Sequence, residues 1–203
     1  ILRLGEWGLK AACERLARWA SDPVLSELTL SVNVSARQFH QAGFVPQVLA
    51  ALASTGADAR HLRLELTESL LLEDIDDTVK KMTHLKSYGV GFSLDDFGTG
   101  YSSLSYLKRL PLDELKIDQG FVRDVLTDPN DAAIAKTIVA LGTSLGLHVT
   151  AEGVETEAQR QFLERNHCYG WQGYLLSPPL PIREYEALVQ SLALARVKTS
   201  APV

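Results

Sequence analysis

The sequence predicts an α/β fold, and within that class a TIM-like (β/α)8 barrel. Short β-rich runs alternate with amphipathic helical segments along the 203 residues, and this alternation produces a parallel sheet with right-handed crossovers. Polar or ionisable side chains also stand at or near the ends of six successive runs. In a barrel such groups converge on one face from many strands, whereas in an open doubly wound sheet they gather at one switch point. Convergence of all six favours the barrel.

The β-rich runs predict six strands. They are residues 28–32, 62–64, 90–94, 114–117, 148–150 and 170–175. A closed eight-stranded barrel needs two further strands, which would precede Ile1, whereas an open sheet would need none. The chain also enters an amphipathic helix within its first few residues. We therefore expect a barrel truncated at its N-terminus, with six strands visible and further residues upstream.

Seven segments with helical periodicity lie around these strands. They are residues 5–19, 44–53, 75–88, 104–109, 131–145, 155–166 and 182–194. Gly89 and Gly146 each follow one of them, which is the position that glycine favours at a helix C-terminus. Asp128-Pro129 supplies a turn and an N-cap before the fifth segment. No linker divides the chain, so we predict one domain over residues 1–203, with about the last eight residues as a tail.

Composition excludes several classes of function. The formal net charge is -5 and no run of Lys or Arg exceeds two residues, so capture of long nucleic acid is not expected. Cys13 and Cys168 show no metal-binding spacing, and two buried thiols fit a reducing cytoplasm. No 18-residue apolar run and no signal peptide are present, so we expect a cytoplasmic segment without membrane contact.

The strand ends are dominated by oxygen-bearing side chains. In chain order they carry Asn33, Glu65 with Glu68, Asp95-Asp96, Lys116 with Asp118, Glu152 and Gln172. Asp95 and Asp96 are two like charges leaving the buried run 90–94, which is costly unless a cation neutralises them. A divalent metal ion is the natural neutraliser. A single acid after a strand is more often a helix cap or a loop charge, but six coincident strand ends favour a functional site.

Carboxylate and amide oxygens without His or Cys suit Mg²⁺, Mn²⁺ or Ca²⁺ and are poorly suited to structural zinc. The ligand candidates carry four negative charges in total and are Asn33, Glu65, Asp95, Asp96 and Glu152. That charge suffices for two divalent ions about 4 Å apart, the arrangement that cleaves phosphodiesters by in-line attack of water. Lys116 would add positive charge at a phosphate oxygen or orient the water.

Six motifs, in order along nearly the whole chain, resemble those of the EAL domain family. They are SVNVSARQF at 31–39, ELTE at 65–68, DDFGTGYSS at 95–103, LKID at 115–118, AEGVE at 151–155 and QGYLLS at 172–177. Proteins of that family are bacterial phosphodiesterases that open cyclic di-GMP to linear pGpG. They use Mg²⁺ or Mn²⁺ on a modified TIM barrel. The resemblance implies the same fold, substrate and cofactors here.

The resemblance also implies a ligand set for two metal ions. Asn33, Glu65 and Asp95 would hold one ion. Asp95, Asp96 and Glu152 would address the second ion and its water. Glu152 would be the candidate general base. Calcium is expected to inhibit such an enzyme.

Further roles follow from the same resemblance. Lys116 would contact the attacking water or the phosphate, so that Glu152, Lys116 and Asp96 form the catalytic group. Glu68 would brace the loop 96–103. Asp118 and Gln172 would line the substrate site.

One family motif is absent. The Glu-x-Leu-x-Arg motif of an early strand would lie before Ile1, and the letters Glu-Ala-Leu at 186–188 fall in the last helical segment, where they are a coincidence. By resemblance, we expect a homodimer fused to sensory or GGDEF domains. An alternative function is a catalytically silent receptor that binds cyclic di-GMP and signals to a partner.

Overall fold

The structure, a computed structural model, describes residues 1–68, 70, 74–100 and 104–199, with side chains described as far as residue 195. Six strands form one sheet in the order of the chain, and each pairs in parallel with the next. They are β1 (Leu30–Val34), β2 (Leu62–Thr67), β3 (Gly91–Phe97), β4 (Glu114–Ile117), β5 (His148–Ala151) and β6 (Gly170–Trp171). The predicted α/β class and its six parallel strands are confirmed. Within the described residues, the sheet ends at β1 and β6.

Helices connect the strands. They are α1 (Leu2–Trp19), α2 (Ala36–Phe39), α3 (Phe44–Thr55), α4 (Ile75–Lys86), α5 (Leu104–Leu107), α6 (Gln119–Arg123), α7 (Pro129–Leu145), α8 (Glu157–Arg165) and α9 (Ile182–Thr199). In the described part of the chain, no helix has the length and apolar character that crossing a bilayer requires. Of the predicted tail, residues 200–203 lie outside the described residues, and α9 continues to Thr199.

The two helices that the sequence pattern did not predict, α2 and α6, are each about one turn long. The side chain of Ser35 caps α2 by accepting a hydrogen bond from the backbone N–H of Gln38, and Asp118 caps α6 through the N–H of Gly120. A single turn is too short to show helical periodicity. The predicted boundary signals of α7 are confirmed, since Asp128 caps it and Gly146 ends it in the left-handed conformation. Other helices differ from the predicted segments: α1 begins at Leu2, α4 ends at Lys86 and α9 continues to Thr199.

Four strands differ by two or more residues from the predicted runs. β1 continues to Val34, β2 to Thr67 and β3 to Phe97, so that Asn33, Glu65 and Asp95-Asp96 belong to strands instead of following them. Parallel pairing extends these strands, since Asn33 lies opposite Glu65 and Thr67 opposite Asp95. β6 has only two residues because the backbone turns at Gly173, where φ is 154°.

Each strand divides its side chains between two faces. On β2, Leu62, Leu64 and Leu66 are fully buried in a core shared with α1, α3 and α4. The opposite face, here called the inner face, is polar because alternate residues point away from the helices. It carries Asn33, Arg63, Glu65, Ser93, Asp95, Glu114, Lys116 and Thr150. Cys13 and Cys168 are buried free thiols, as predicted.

Helix α9 packs against the C-terminal half of α1. Glu186 accepts hydrogen bonds from Arg15 at 3.0 Å and from the indole N–H of Trp19 at 2.7 Å, and the Trp19 and Tyr185 rings are stacked. Glu186 thus anchors the last helix, which agrees with the expectation that the letters at 186–188 are a coincidence.

Gly173 provides a test of how the chain shapes the loop after β6. A Cβ atom there would lie 2.3 Å from both the backbone N and O of Val154, so Gly173→Ala should lower the melting temperature. In the matched change Gly8→Ala, the added methyl meets nothing within 4 Å on helix α1. That change should stabilise the protein by about 0.5–1 kcal/mol. Thermal unfolding of both variants checks this; equal effects would contradict the close approach.

Candidate functional site

Four of the predicted site residues, from four neighbouring strands, meet at one point. Lys116 on β4 places its Nζ 3.1 Å from Oε1 of Glu65, 3.3 Å from Oδ1 of Asp95 and 2.5 Å from Oε1 of Glu152. Glu65 and Asp95 lie on β2 and β3, and Glu152 directly follows β5. Only 5% of Lys116 is exposed. The polar groups at these strand ends therefore converge.

The surroundings keep Lys116 charged. Burial alone would lower the pKa of its ammonium. The hydrogen bond to Glu152 and the charges of Glu65, Glu152 and Asp95 outweigh that effect and raise the Lys116 pKa above its usual range. One ammonium thus faces three carboxyl groups. Because the cluster has more acidic groups than cations, it can accept a further positive charge.

A second group of carboxyls overlaps the first. One carboxylate oxygen from each of Asp95, Asp96 and Glu152 lies within 4.8 Å of the other two. Adjacent strand residues normally point to opposite faces. Here Asp96 has φ 54° and the β3–β4 register shifts between Leu94 and Phe97. This bulge brings two consecutive carboxylates to the same site.

Crowding of like charges changes the titration of these groups. The pKa of Asp96 is raised, first by burial and then by the charges of Asp95 and Asp118. The pKa of Glu152 is also raised, mainly by burial and with help from Asp95 and Glu65, although Lys116 acts in the opposite direction. For both groups burial is the largest cause, and the neighbouring negative charges add to it.

The donor set fits a divalent metal ion. Oδ1 of Asp95 is buried and has no hydrogen-bond partner among the described residues, because the Lys116 ammonium lies near it but outside hydrogen-bond geometry. The oxygens of Asp95, Asp96 and Glu152 are of the hard type that Mg²⁺ and Mn²⁺ prefer. Asn33 lies directly opposite Glu65 in the β1–β2 pairing, at the edge of the same face.

Two predicted substrate residues border the carboxyl groups. Gln172 donates a hydrogen bond from Nε2 to Oε1 of Glu152 at 2.9 Å. Asp118 caps α6 through the N–H of Gly120 at 2.8 Å, and its carboxylate is a hydrogen-bond partner of Asp96. Asp118 therefore combines a structural role with a place at the edge of the site.

Glu68 contacts the loop that follows β3. Its Oε2 accepts hydrogen bonds from the N–H groups of Gly98 at 3.3 Å and Gly100 at 3.1 Å. A Cβ at position 100 would lie 3.0 Å from the Glu68 carboxyl carbon, so glycine permits this close approach. The rest of the predicted loop, residues 101–103, lies outside the described residues.

A cavity of about 530 Å³ opens beside Glu152 and Gln172. Its other wall is formed by Tyr174, Tyr185 and the residues 178–180, which connect β6 to α9. The sequence reasoning missed this wall. The Pro178-Pro179 pair, directly after the sixth motif, is a signal for a stiff loop that could have drawn attention to it.

Comparison with known proteins places these residues in one family. A model of the EAL domain matches residues 1–179. The chain is 48% identical over 189 residues to the bifunctional diguanylate cyclase/cyclic di-GMP phosphodiesterase MucR of Pseudomonas aeruginosa. That alignment covers 93% of this chain and 27% of MucR. It is 44% identical over 191 residues to the cyclic di-GMP phosphodiesterase NbdA of the same species, covering 94% of this chain and 24% of NbdA. The chain thus spans about a quarter of these relatives.

Solved structures agree with the sequence comparisons. The chain is similar to the MucR phosphodiesterase in complex with c-di-GMP, with 48% identity and a TM-score of 0.87 over 90% of this chain and 74% of that one. It is also similar to BlrP1 of Klebsiella pneumoniae in a manganese and cyclic di-GMP complex, with 29% identity and a TM-score of 0.77 over 88% of this chain and 44% of that one. A calcium and cyclic di-GMP complex of BlrP1 matches at 30% identity and a TM-score of 0.74, covering 86% and 44% of the two chains.

The raised pKa of Asp96 predicts a change in stability. A carboxyl whose folded pKa exceeds its unfolded value opposes folding once it is ionised, and this effect disappears as pH falls below both values. In EDTA at neutral pH, Asp96→Asn should therefore raise the melting temperature. The gain should vanish as pH falls through the normal range of aspartate. Asparagine also tolerates the positive φ at this position.

Asp58 provides a control in which the melting temperature should change in the opposite direction. Hydrogen bonds from the Arg60 side chain and backbone lower the pKa of Asp58 to about 2, so its ionised form favours folding above the usual aspartate pKa. Asp58→Asn should lower the melting temperature at neutral pH. Thermal unfolding across pH measures both variants, and a destabilised Asp96→Asn protein at neutral pH would contradict the charge-crowding interpretation.

Proposed function

We propose that this chain, which belongs to the EAL domain family, hydrolyses cyclic di-GMP to linear pGpG with the help of two divalent metal ions. The observation that carries the proposal is the convergence of Glu65, Asp95, Asp96 and Glu152 around Lys116. An acidic group with one buried ammonium suits a reaction on a phosphodiester, in which metal ions and a fixed cation neutralise charge. The relatives named as cyclic di-GMP phosphodiesterases support the choice of substrate.

In this proposal the inner face supplies the ligands. Asn33, Glu65 and Asp95 would hold one ion, and Asp95, Asp96 and Glu152 the other. Bound Mg²⁺ or Mn²⁺ would supply Lewis-acid stabilisation of the phosphate and a more acidic water. The buried Asp95 oxygen without a hydrogen bond supports its place in both ligand sets.

Lys116 and Glu152 would carry out the charge and proton steps. Glu152 accepts hydrogen bonds from Lys116 at 2.5 Å and from Gln172 at 2.9 Å, and these fix the direction of its carboxylate. Its raised pKa makes it a better proton acceptor than an ordinary glutamate, so it suits the general base that takes a proton from the attacking water. Lys116, held by Glu65 and Asp95, would stabilise negative charge on the phosphate.

The cavity beside Glu152 would hold part of the nucleotide. Its polar side includes Glu152 and Gln172, and its other wall presents the rings of Tyr174 and Tyr185. Aromatic rings favour stacking with a flat base, while polar groups fix its orientation. Glu68 would hold the backbone after Asp96 in place through its two hydrogen bonds. Asp118 would act at the edge of this substrate site. A homodimer and fusion to sensory or GGDEF domains stay predictions.

Turnover of cyclic di-GMP tests the proposal directly. The intact protein with Mg²⁺ or Mn²⁺ should form pGpG, measured by chromatography. Asp95→Asn removes a shared ligand and should lower turnover by about 100-fold or more. Asp58→Asn, an exposed aspartate in the turn before β2, is the matched control and should leave turnover unchanged. Absence of product with either metal would contradict the proposal, and binding without turnover would favour the receptor alternative.

Replacement of the metal provides an independent prediction. EDTA should abolish turnover, and Mg²⁺ or Mn²⁺ should restore it. Ca²⁺ should bind but suppress hydrolysis, because it accepts more ligands at longer and less regular distances than Mg²⁺. The comparison is made at equal concentrations of each ion on the same protein. Full activity in EDTA, or equal rates in Ca²⁺ and Mg²⁺, would show that the chemistry does not depend on these ions in the proposed way.

A further inference from the structure

A second ionic layer lies below the catalytic carboxylates on the inner face. Nη1 of Arg63 on β2 donates to Oε2 of Glu114 on β4 at 2.7 Å. Oε1 of Glu114 accepts a hydrogen bond from the hydroxyl of Thr150 on β5. Each of these residues lies two positions before a site residue: Arg63 before Glu65, Glu114 before Lys116 and Thr150 before Glu152. Glu65, Lys116 and Glu152, with Asp95, are here called the catalytic layer. The Arg63–Glu114–Thr150 layer repeats that arrangement about 7 Å further toward the N-terminal ends of the strands.

One glycine makes room for this layer. On β6, a Cβ at Gly170 would lie only 2.8 Å from the Thr150 hydroxyl oxygen. Arg63 reaches across β3 beside Gly91, where an added Cβ would lie at an ordinary contact distance of 3.5 Å from Nε of Arg63. The polar contact is continuous from β2 to β5. Such a contact is a feature of the sheet as a whole and not of one strand.

Glu114 is a buried carboxylate that requires a cation. It is 9% exposed, and an unpaired charge at that depth is costly. Arg63 is its ion-pair partner in the described residues. Lys86, a cation near this end of the sheet, is held 2.5 Å from Asp113.

His148 lies opposite Glu114 in the β4–β5 pairing but is exposed, so among the described residues Lys116 is the other buried basic side chain on the same face. Glu114 and Lys116 are two residues apart on β4 and share its inner face. A lysine has a flexible four-carbon stem, so its ammonium can swing between carboxylates above and below its own position. The charge of Glu114 would then compete with Glu65, Asp95 and Glu152 for the same ammonium.

We propose that Arg63 is a positioning residue, which pairs with Glu114 and thereby keeps Lys116 in the catalytic layer. Among the described residues, Arg63 does not line the cavity beside Glu152, and its hydrogen bond and ion pair go to Glu114 and not to a metal-ligand candidate. It acts by occupying the one carboxylate that would otherwise draw Lys116 downward. The turnover part of this inference rests on the proposed hydrolysis, whereas its metal-binding part rests only on the proposed binding of a divalent ion at the carboxylates.

The proposal predicts opposite changes in turnover and in metal affinity. In the intact protein, Arg63→Met should lower turnover by about 10- to 100-fold, the range found when outer supporting residues are lost. The same variant should bind Mn²⁺ about 3- to 10-fold more tightly, because Lys116 leaves the carboxylates to which the ion would bind. Free Mn²⁺, measured by electron paramagnetic resonance without nucleotide, reports that affinity. A merely structural loss would weaken both properties.

Removing the competing charge should reverse the effect. Arg63→Met combined with Glu114→Gln leaves no unpaired carboxylate, so turnover and Mn²⁺ affinity should return to within about threefold of the unmodified protein. Arg63→Lys keeps a cation beside Glu114 and should also remain close to it. Arg60→Met is the matched control: it breaks an exposed Arg–Asp pair three residues away and should change neither property.

Two results would overturn the proposal. One is weaker Mn²⁺ binding in a folded Arg63→Met protein, and the other is a folded double variant whose turnover and Mn²⁺ affinity are no closer to the unmodified protein than those of Arg63→Met. If Arg63→Met fails to fold, the double variant decides alone: Mn²⁺ affinity close to that of the unmodified protein supports the proposal, and loss of Mn²⁺ affinity in a folded double variant overturns it. Should the unmodified protein not hydrolyse cyclic di-GMP, the proposed function fails while the ranking of Mn²⁺ affinities still tests the role of Arg63.

Discussion

Carboxylates buried on the inner face of a sheet require cations at the same depth, because the desolvation of an unpaired ion costs several kcal/mol. In this protein Lys116 lies beside Glu65, Asp95 and Glu152, and Arg63 pairs with Glu114. The apolar face of each strand packs on the helices and stabilises the fold. The inner face can therefore be polar, provided that cations lie beside its buried carboxylates.

In this arrangement the catalytic layer has more carboxyl groups than cations. Burial raises the pKa of Asp96 and of Glu152, and the neighbouring carboxylates add to this effect, although Lys116 itself stays protonated. A fully neutralised cluster would be more stable but would have no affinity for a divalent ion. If a divalent ion binds as proposed, the carboxylates that oppose folding in the metal-free protein are the ones that would hold the ion.

Backbone irregularity matters as much as charge. The left-handed conformation of Asp96 and the bulge in β3 turn two consecutive carboxylates to one side. Directly after them, Glu68 holds the backbone through the N–H groups of Gly98 and Gly100. A regular strand would have sent Asp96 to the opposite face, and the three-carboxyl group would not exist.

The sequence by itself determined the α/β class, the six parallel strands, the longer helices and the set of polar residues that converge. These features depend on hydrophobic periodicity, capping residues and motifs, which act over a few neighbouring positions. Family membership, which the matched family model bears out, was also readable from the motifs.

Only the tertiary structure decided which charges pair. The one-turn helices behind Ser35 and Asp118, the extension of β1 through Asn33 and the Arg63–Glu114 layer have no periodic signal in the chain. The strand extension and the Arg63–Glu114 layer depend on the register between strands, and register is set by packing across the whole sheet. The wall of the cavity formed by Tyr185 likewise exists only because α9 packs on α1, which brings together residues from opposite ends of the sequence.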